Sequence, residues 1–180
     1  MDLAVFSSAE EVELFVNGVS LGRKKAGEVQ IHNMPLTFLF RGEYQPGCVE
    51  AVSYTAGKEV SHTVLNTTGK PVGIRLTAET EALKADGESL CYVHADLVDA
   101  QGNVVPDADV LLKAEAKGAA ELLGFGSGNP VTEENYTRGC FTSYHGRTLA
   151  VLRAGWEKGE VCLSVSAEGL ETAEITLLVQ

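Results

Sequence analysis

The side chains best suited to chemistry in this chain are few and scattered. Glu133 and Glu134 stand side by side near Tyr136, and paired carboxylates are what hydrolysis of a glycosidic bond needs, one as acid and one as nucleophile. No pocket-forming pattern flanks them, so they read first as solvated loop glutamates. Asp96, Asp99, Asp107 and Asp109 bracket a turn and offer hard oxygen ligands for calcium. Their spacing is not that of an EF-hand, and a solvated turn is the simpler reading. His32, His62, His94 and His145 fall on distant segments, and no serine sits in a GxSxG setting, so a nucleophilic triad has no support.

The densest glycine segment is Gly124-Phe125-Gly126-Ser127-Gly128-Asn129-Pro130. A phosphate cradle requires glycines between a strand and a helix N-terminus, usually with a lysine. Here Pro130 and Glu133-Glu134 follow, the wrong sign for an anion. The segment reads as a sharp inter-strand loop with a short helical turn capped by Thr132. Phe125, Tyr136, Tyr144 and Trp156 form a candidate sugar-stacking platform, set against core or loop-anchor roles for the same rings. Asn66-Thr67-Thr68 and Asn135-Tyr136-Thr137 match the glycosylation sequon, which matters only in a secreted eukaryotic setting.

Cys48, Cys91, Cys140 and Cys162 form no CxxC pair and no Cys/His spacing suited to zinc, so neither a metal nor a cofactor is expected. A disulfide between Cys91 and Cys162 is the sharper alternative, but strand parity opposes it. Cys91 shares a face with Val93, Ala95 and Leu97, whereas Cys162 lies opposite Val161, Leu163 and Val165 and should point to solvent. Free thiols are expected, and they fit a reducing, cytoplasmic compartment.

The elements that must position these residues are strands. Val12, Leu14 and Val16 alternate with Glu11, Glu13 and Phe15, the two-residue period of a half-buried strand. Asn17-Gly18 then supplies the two positive-φ residues of a type I′ hairpin turn. Similar alternation recurs at 3–6, 19–24, 36–41, 49–55 and 59–65, with turn signals such as Tyr44-Gln45-Pro46-Gly47 and Ala56-Gly57-Lys58 between. Asn66-Thr67-Thr68-Gly69-Lys70-Pro71 is polar and turn-rich, and the domain boundary is placed there. A second series follows at 72–78, 90–98, 108–116, 121–125, 140–144, 148–154, 161–167 and 174–179. Ala78–Lys84 reads as another possible helical turn, marginal at seven residues.

The net charge of −11 argues against nucleic acid or an anionic membrane surface as partner. Residues 1–69 carry eight acids and five bases, residues 70–180 seventeen and nine, so both parts are acidic. No apolar run approaches the ~20 residues that cross a bilayer. Met1-Asp2-Leu3-Ala4-Val5-Phe6 lacks the basic region of a signal peptide and starts almost at once as a strand.

Several of these segments together resemble glycoside hydrolase family 2 enzymes. Val5–Lys24, then Tyr44-Gln45-Pro46-Gly47 and Val49-Glu50-Ala51-Val52-Ser53-Tyr54, is similar to a domain that follows the catalytic barrel in that family. Asp96–Pro106, Gly124–Pro130 and Tyr144–Arg153 resemble its terminal immunoglobulin-like domain, although bacterial adhesin-type domains share the Asp99-to-Pro106 turn. Members with this tail are mostly bacterial β-galactosidases that retain anomeric configuration. The resemblance implies that both catalytic glutamates belong to a (β/α)₈ barrel of about 250 residues, expected N-terminal to Met1. No residue here inherits either role.

The expected fold is therefore all-β: two consecutive immunoglobulin-like antiparallel β-sandwich domains, 1–68 and 69–180. The expected function is non-catalytic support of a β-galactosidase barrel in the same parent chain, or of contacts between copies of it. A carbohydrate-binding or adhesin-like module is the alternative. Phe125, Asn129, Tyr136 and Trp156 are the expected binding residues, touching either another domain or a sugar.

Overall fold

Extended segments with one apolar face can bury that face only against a second layer, and the chain meets that need twice. A computed structural model describes residues 1–28, 34 and 36–180; His32 lies outside the described residues. The chain divides into two compact units, Met1–Thr67 and Thr68–Gln180. The described residues form strands and turns with no helix, an all-β fold of sandwiches.

In the first unit, β1 (Asp2–Phe6) pairs antiparallel with β4 (Thr37–Arg41). The facing sheet holds β2 (Glu11–Val16), β3 (Val19–Lys25), β5 (Cys48–Thr55) and β6 (Lys58–Asn66), in the order β3-β2-β5-β6. Val12 and Leu14 from the larger sheet meet Phe38 and Phe40 from the ribbon, all almost fully buried. Each such side chain contributes about 1.5–3 kcal/mol relative to exposure. The β2–β3 turn has φ of 50° at Asn17 and 77° at Gly18, the signs a type I′ turn demands. The Asn17 side chain also accepts a 2.8 Å hydrogen bond from the Cys48 amide and donates to the Pro46 carbonyl at 3.2 Å. The hairpin tip is thus tied to the Tyr44–Gly47 turn, a long-range contact that alternation does not reveal.

In the second unit, one sheet runs β11-β13-β9-β7: β7 (Gly73–Ala78), β9 (Leu90–Val98), β11 (Ala120–Gly126) and β13 (Arg147–Ala154). The other runs β12-β10-β14-β15-β8: β8 (Ala82–Leu83), β10 (Leu111–Gly118), β12 (Cys140–Thr142), β14 (Gly159–Ala167) and β15 (Ala173–Val179). Val93, Leu97, Phe125 and Leu152 from the first sheet pack against Leu112, Phe141 and Leu163 from the second.

The possible helical turn at Ala78–Lys84 is corrected by the structure. Ala82 and Leu83 form β8, which pairs parallel with Leu178 and Val179 at the far end of the chain. Amides donated from Leu178 to Glu81, from Gln180 to Leu83 and from Ala85 to Gln180 hold it there, and Leu83 is buried. Seven residues gain more from closing a sheet edge than from an isolated turn of helix.

All four cysteines are free. Cys91 is buried, and removal from water pushes its thiol above the ordinary range. Cys162 is half-buried on the opposite face of its strand from buried Val161 and Leu163.

Candidate functional site

The site begins with an irregularity in β11. Its register against β13 skips a residue between Leu122 and Gly124, so Leu123 is an extra residue that re-aims the strand end. Phe125 then opposes Ala150 and turns into the core, while Gly124 and Gly126 oppose Val151 and Leu149 on the outer face. Without side chains at 124 and 126, that face opens into a groove of about 500 Å³, whose lining includes Leu149, Val151, His94 and Arg147.

Tyr136 forms the groove's other wall. Its carbonyl accepts the Phe125 amide at 2.7 Å, and its ring stacks on Phe141 with centroids 4.7 Å apart and planes 22° from parallel. A Cβ added at Gly126 would stand 2.1 Å from Tyr136 Cδ1. The glycine is therefore the space the ring occupies. Ser127 also lines the groove, and its hydroxyl oxygen is buried without a hydrogen-bond partner. His94 Nε2 stands 3.4 Å from a Glu79 carboxylate oxygen.

The loop that returns from Gly126 to β12 holds itself by side chain to backbone contacts, and no helical turn forms in it. Asn129 Oδ1 accepts the Val131 amide at 2.9 Å, Thr132 Oγ1 accepts the Glu134 amide at 3.1 Å, and Asn135 Oδ1 accepts the Thr137 amide at 2.9 Å. Such short polar side chains compete with helical hydrogen bonding and win in turns. Glu133 is exposed, but Glu134 is not the solvated glutamate its setting suggested. One of its oxygens accepts from the Thr142 amide at 2.9 Å and the Thr142 hydroxyl at 3.0 Å, which fastens the loop to β12.

Of the four aspartates, Asp107 and Asp109 are exposed, and the other two are held within the fold. Asp99 is buried and accepts amides from Gly69, Gln101 and Asn103 at 3.1, 3.0 and 2.9 Å. The Gly69 amide does most to hold its carboxyl below the usual carboxylate range, against the opposing effect of burial, with Asn103 and Gln101 adding to it. Asp96 pairs with Arg75 at 3.0 Å. Among the described residues no group of three His, Cys, Asp or Glu side chains gathers to hold a metal.

The four aromatic rings do not make one platform. Phe125 is 1% exposed, so no ligand reaches its face. Tyr144 packs against His145 with ring centroids 4.2 Å apart and planes tilted by 58°, and Tyr136 belongs to the groove above. Trp156 lines a separate groove with Gly87, Glu121 and Arg153. Of the binding residues expected from sequence, the structure brings Phe125 and Tyr136 together and leaves Trp156 apart. Asn129 is spent on its own turn.

Residues 74–176 match the family described as glycoside hydrolase family 2 C-terminal domain 5, and residues 1–61 match a domain of unknown function, DUF4982. The chain is 34% identical over 172 residues to beta-galactosidase BoGH2A of Bacteroides ovatus, covering 96% of this chain and 20% of that protein. It is 31% identical over 168 residues to a putative beta-glucuronidase of Formosa agariphila, covering 91% of this chain and 16% of that one. Among solved structures, a glycosyl hydrolase family 2 member from Bacteroides cellulosilyticus superposes with a TM-score of 0.89 at 32% identity, over 99% of this chain and 23% of the other. The chain thus spans about a fifth of the length of the relatives it matches.

Proposed function

Because this chain belongs to the glycoside hydrolase family 2 C-terminal domain family, we propose that it is the non-catalytic tail of a β-galactosidase and that its outer-face groove seats part of the catalytic barrel. One observation carries the reading: almost the whole chain corresponds to only about a fifth of a β-galactosidase. The chemistry of the described residues agrees with it. Glu134 is engaged by Thr142 and Thr132, which leaves no pair of free carboxylates in the Glu133–Tyr136 loop to act as acid and nucleophile.

The groove suits a packing role. Its floor is glycine backbone with Leu149 and Val151, so a neighbour can approach the main chain closely and remove apolar surface from water. The chain alone should not turn over a chromogenic β-galactoside. In the full-length enzyme, Leu149→Asp should lower the thermal midpoint and expose the loop after Gly126 to protease, while this chain by itself unfolds as before. Turnover by the isolated chain, or a full-length enzyme indifferent to the charge on the groove floor, overturns the proposal.

A further inference from the structure

Trp156 is 78% exposed, an unusual position for the residue with the most apolar surface to hide. It is nevertheless not loose. A Cβ at Gly87 would stand 2.5 Å from Trp156 Cε2 and 2.7 Å from Cζ2, so the indole rests on the main chain of the Gly87 turn. That turn is itself rigid. Gly87 has φ of +72°, and its amide donates to the Gly155 carbonyl at 3.2 Å. Asp86 Oδ1 accepts the Glu88 and Ser89 amides at 3.0 and 2.7 Å, and Asp86 Oδ2 accepts the Ser89 hydroxyl at 2.9 Å. The indole is therefore supported on one side and open to solvent elsewhere.

The same groove, of about 510 Å³, holds the exposed ion pair of Arg153 with Glu121, whose Nε to Oε1 distance is 2.8 Å. A flat aromatic surface beside a paired guanidinium and carboxylate is complementary to one common class of ligand. A pyranose ring presents a patch of C–H bonds on one face and hydroxyls at its edge. The hydroxyls both donate and accept, which suits Glu121 and Arg153 together. A purely apolar neighbour would instead strip water from that ion pair without replacing its hydrogen bonds, which is costly. The chain's charge of −11 and the nearby Glu157 favour a neutral sugar over an acidic one.

We propose that the Trp156–Arg153–Glu121 groove binds a neutral pyranose, stacked on the indole and hydrogen-bonded through its hydroxyls to the ion pair. This site is separate from the groove assigned above to interdomain packing. A β-galactopyranoside suits it well, because its axial O4 leaves the opposite ring face free to lie on an indole.

Trp156 is the only tryptophan in the chain, so selectively excited tryptophan fluorescence reports on this groove alone. Methyl β-D-galactopyranoside and a β-1,4-galactan oligosaccharide, titrated into the chain, should give a saturable change with a dissociation constant of about 1 mM, the scale for a small ligand on an open surface. Arg153→Ala keeps the reporter and should weaken binding about tenfold, one hydrogen-bonded group's worth. Trp156→Ala, followed by calorimetry, should abolish binding with the thermal midpoint unchanged, and Trp156→Phe should restore part of it. No saturation with either sugar, calorimetric binding that survives Trp156→Ala, or tighter binding of methyl β-D-glucuronide each overturns the proposal.

Discussion

Gly126→Ala is the sharpest probe of how the groove is built. The added methyl carbon would sit 2.1 Å from Cδ1 and 2.4 Å from Cε1 of Tyr136, well inside van der Waals contact. The obstacle is a side chain rather than backbone, and Tyr136 is half exposed, so the ring swings outward while the strand holds. That movement breaks the stack on Phe141, worth about 0.5–1.5 kcal/mol. It also returns some of the buried half of the ring to water; releasing roughly 50 Å² costs about 1.2 kcal/mol at 25 cal/mol per Å². Replacing a strand glycine by alanine offsets about 0.5–1 kcal/mol of this through reduced chain entropy. The net loss is about 1–2 kcal/mol, a fall in thermal midpoint of roughly 4–8 °C for a unit of this size. The decisive measurement is a double-mutant cycle by denaturant unfolding. In a Tyr136→Ala background the obstacle is gone, so Gly126→Ala should be neutral or stabilising by up to about 1 kcal/mol. An equal loss in both backgrounds refutes the claim that the glycine exists to admit the ring.

Two further outcomes follow from the same unit. Glu134→Ala should destabilise it by about 1–2 kcal/mol in chemical denaturation, because the Thr142 amide and hydroxyl lose their acceptor, with Glu134→Gln less costly since an amide oxygen still accepts. Asp99 and Asp86 both have carboxyls held below the ordinary value, Asp99 chiefly by the Gly69 amide and Asp86 chiefly by the Glu88 amide. A depressed native pKa contributes stability that is complete above the unfolded value of about 3.9 and is lost as pH falls through the native value. Thermal scans from neutral pH downward should therefore show a steepening loss below about pH 4 that is flatter in the Asp86→Asn/Asp99→Asn double variant; an unchanged acid limb refutes it.

What was legible in sequence was what is local in the chain. The alternation of Val12, Leu14 and Val16 places a strand and its buried face because side-chain direction in a strand has a period of two. Asn17-Gly18 announces its turn because few residues tolerate positive φ. Cys91 inside and Cys162 on the other face follow from the same parity, and the resemblance to family 2 tails rests on these short motifs.

Tertiary structure alone decided everything that depends on a distant partner. Ala82–Leu83 is a strand because β15, some ninety residues later, offers an unpaired edge. Glu134 is structural because Thr142 faces it, and Asp99 because Gly69 does. The glycine at 126 has no reason in the sequence until Tyr136 is seen filling the space a side chain would need. Four aromatic residues of equal promise become one core ring, one ring stacked on Phe141, one tilted against His145 and one exposed indole. Burial is a property of the surroundings, and a residue's own type and neighbours in sequence do not specify what folds back over it.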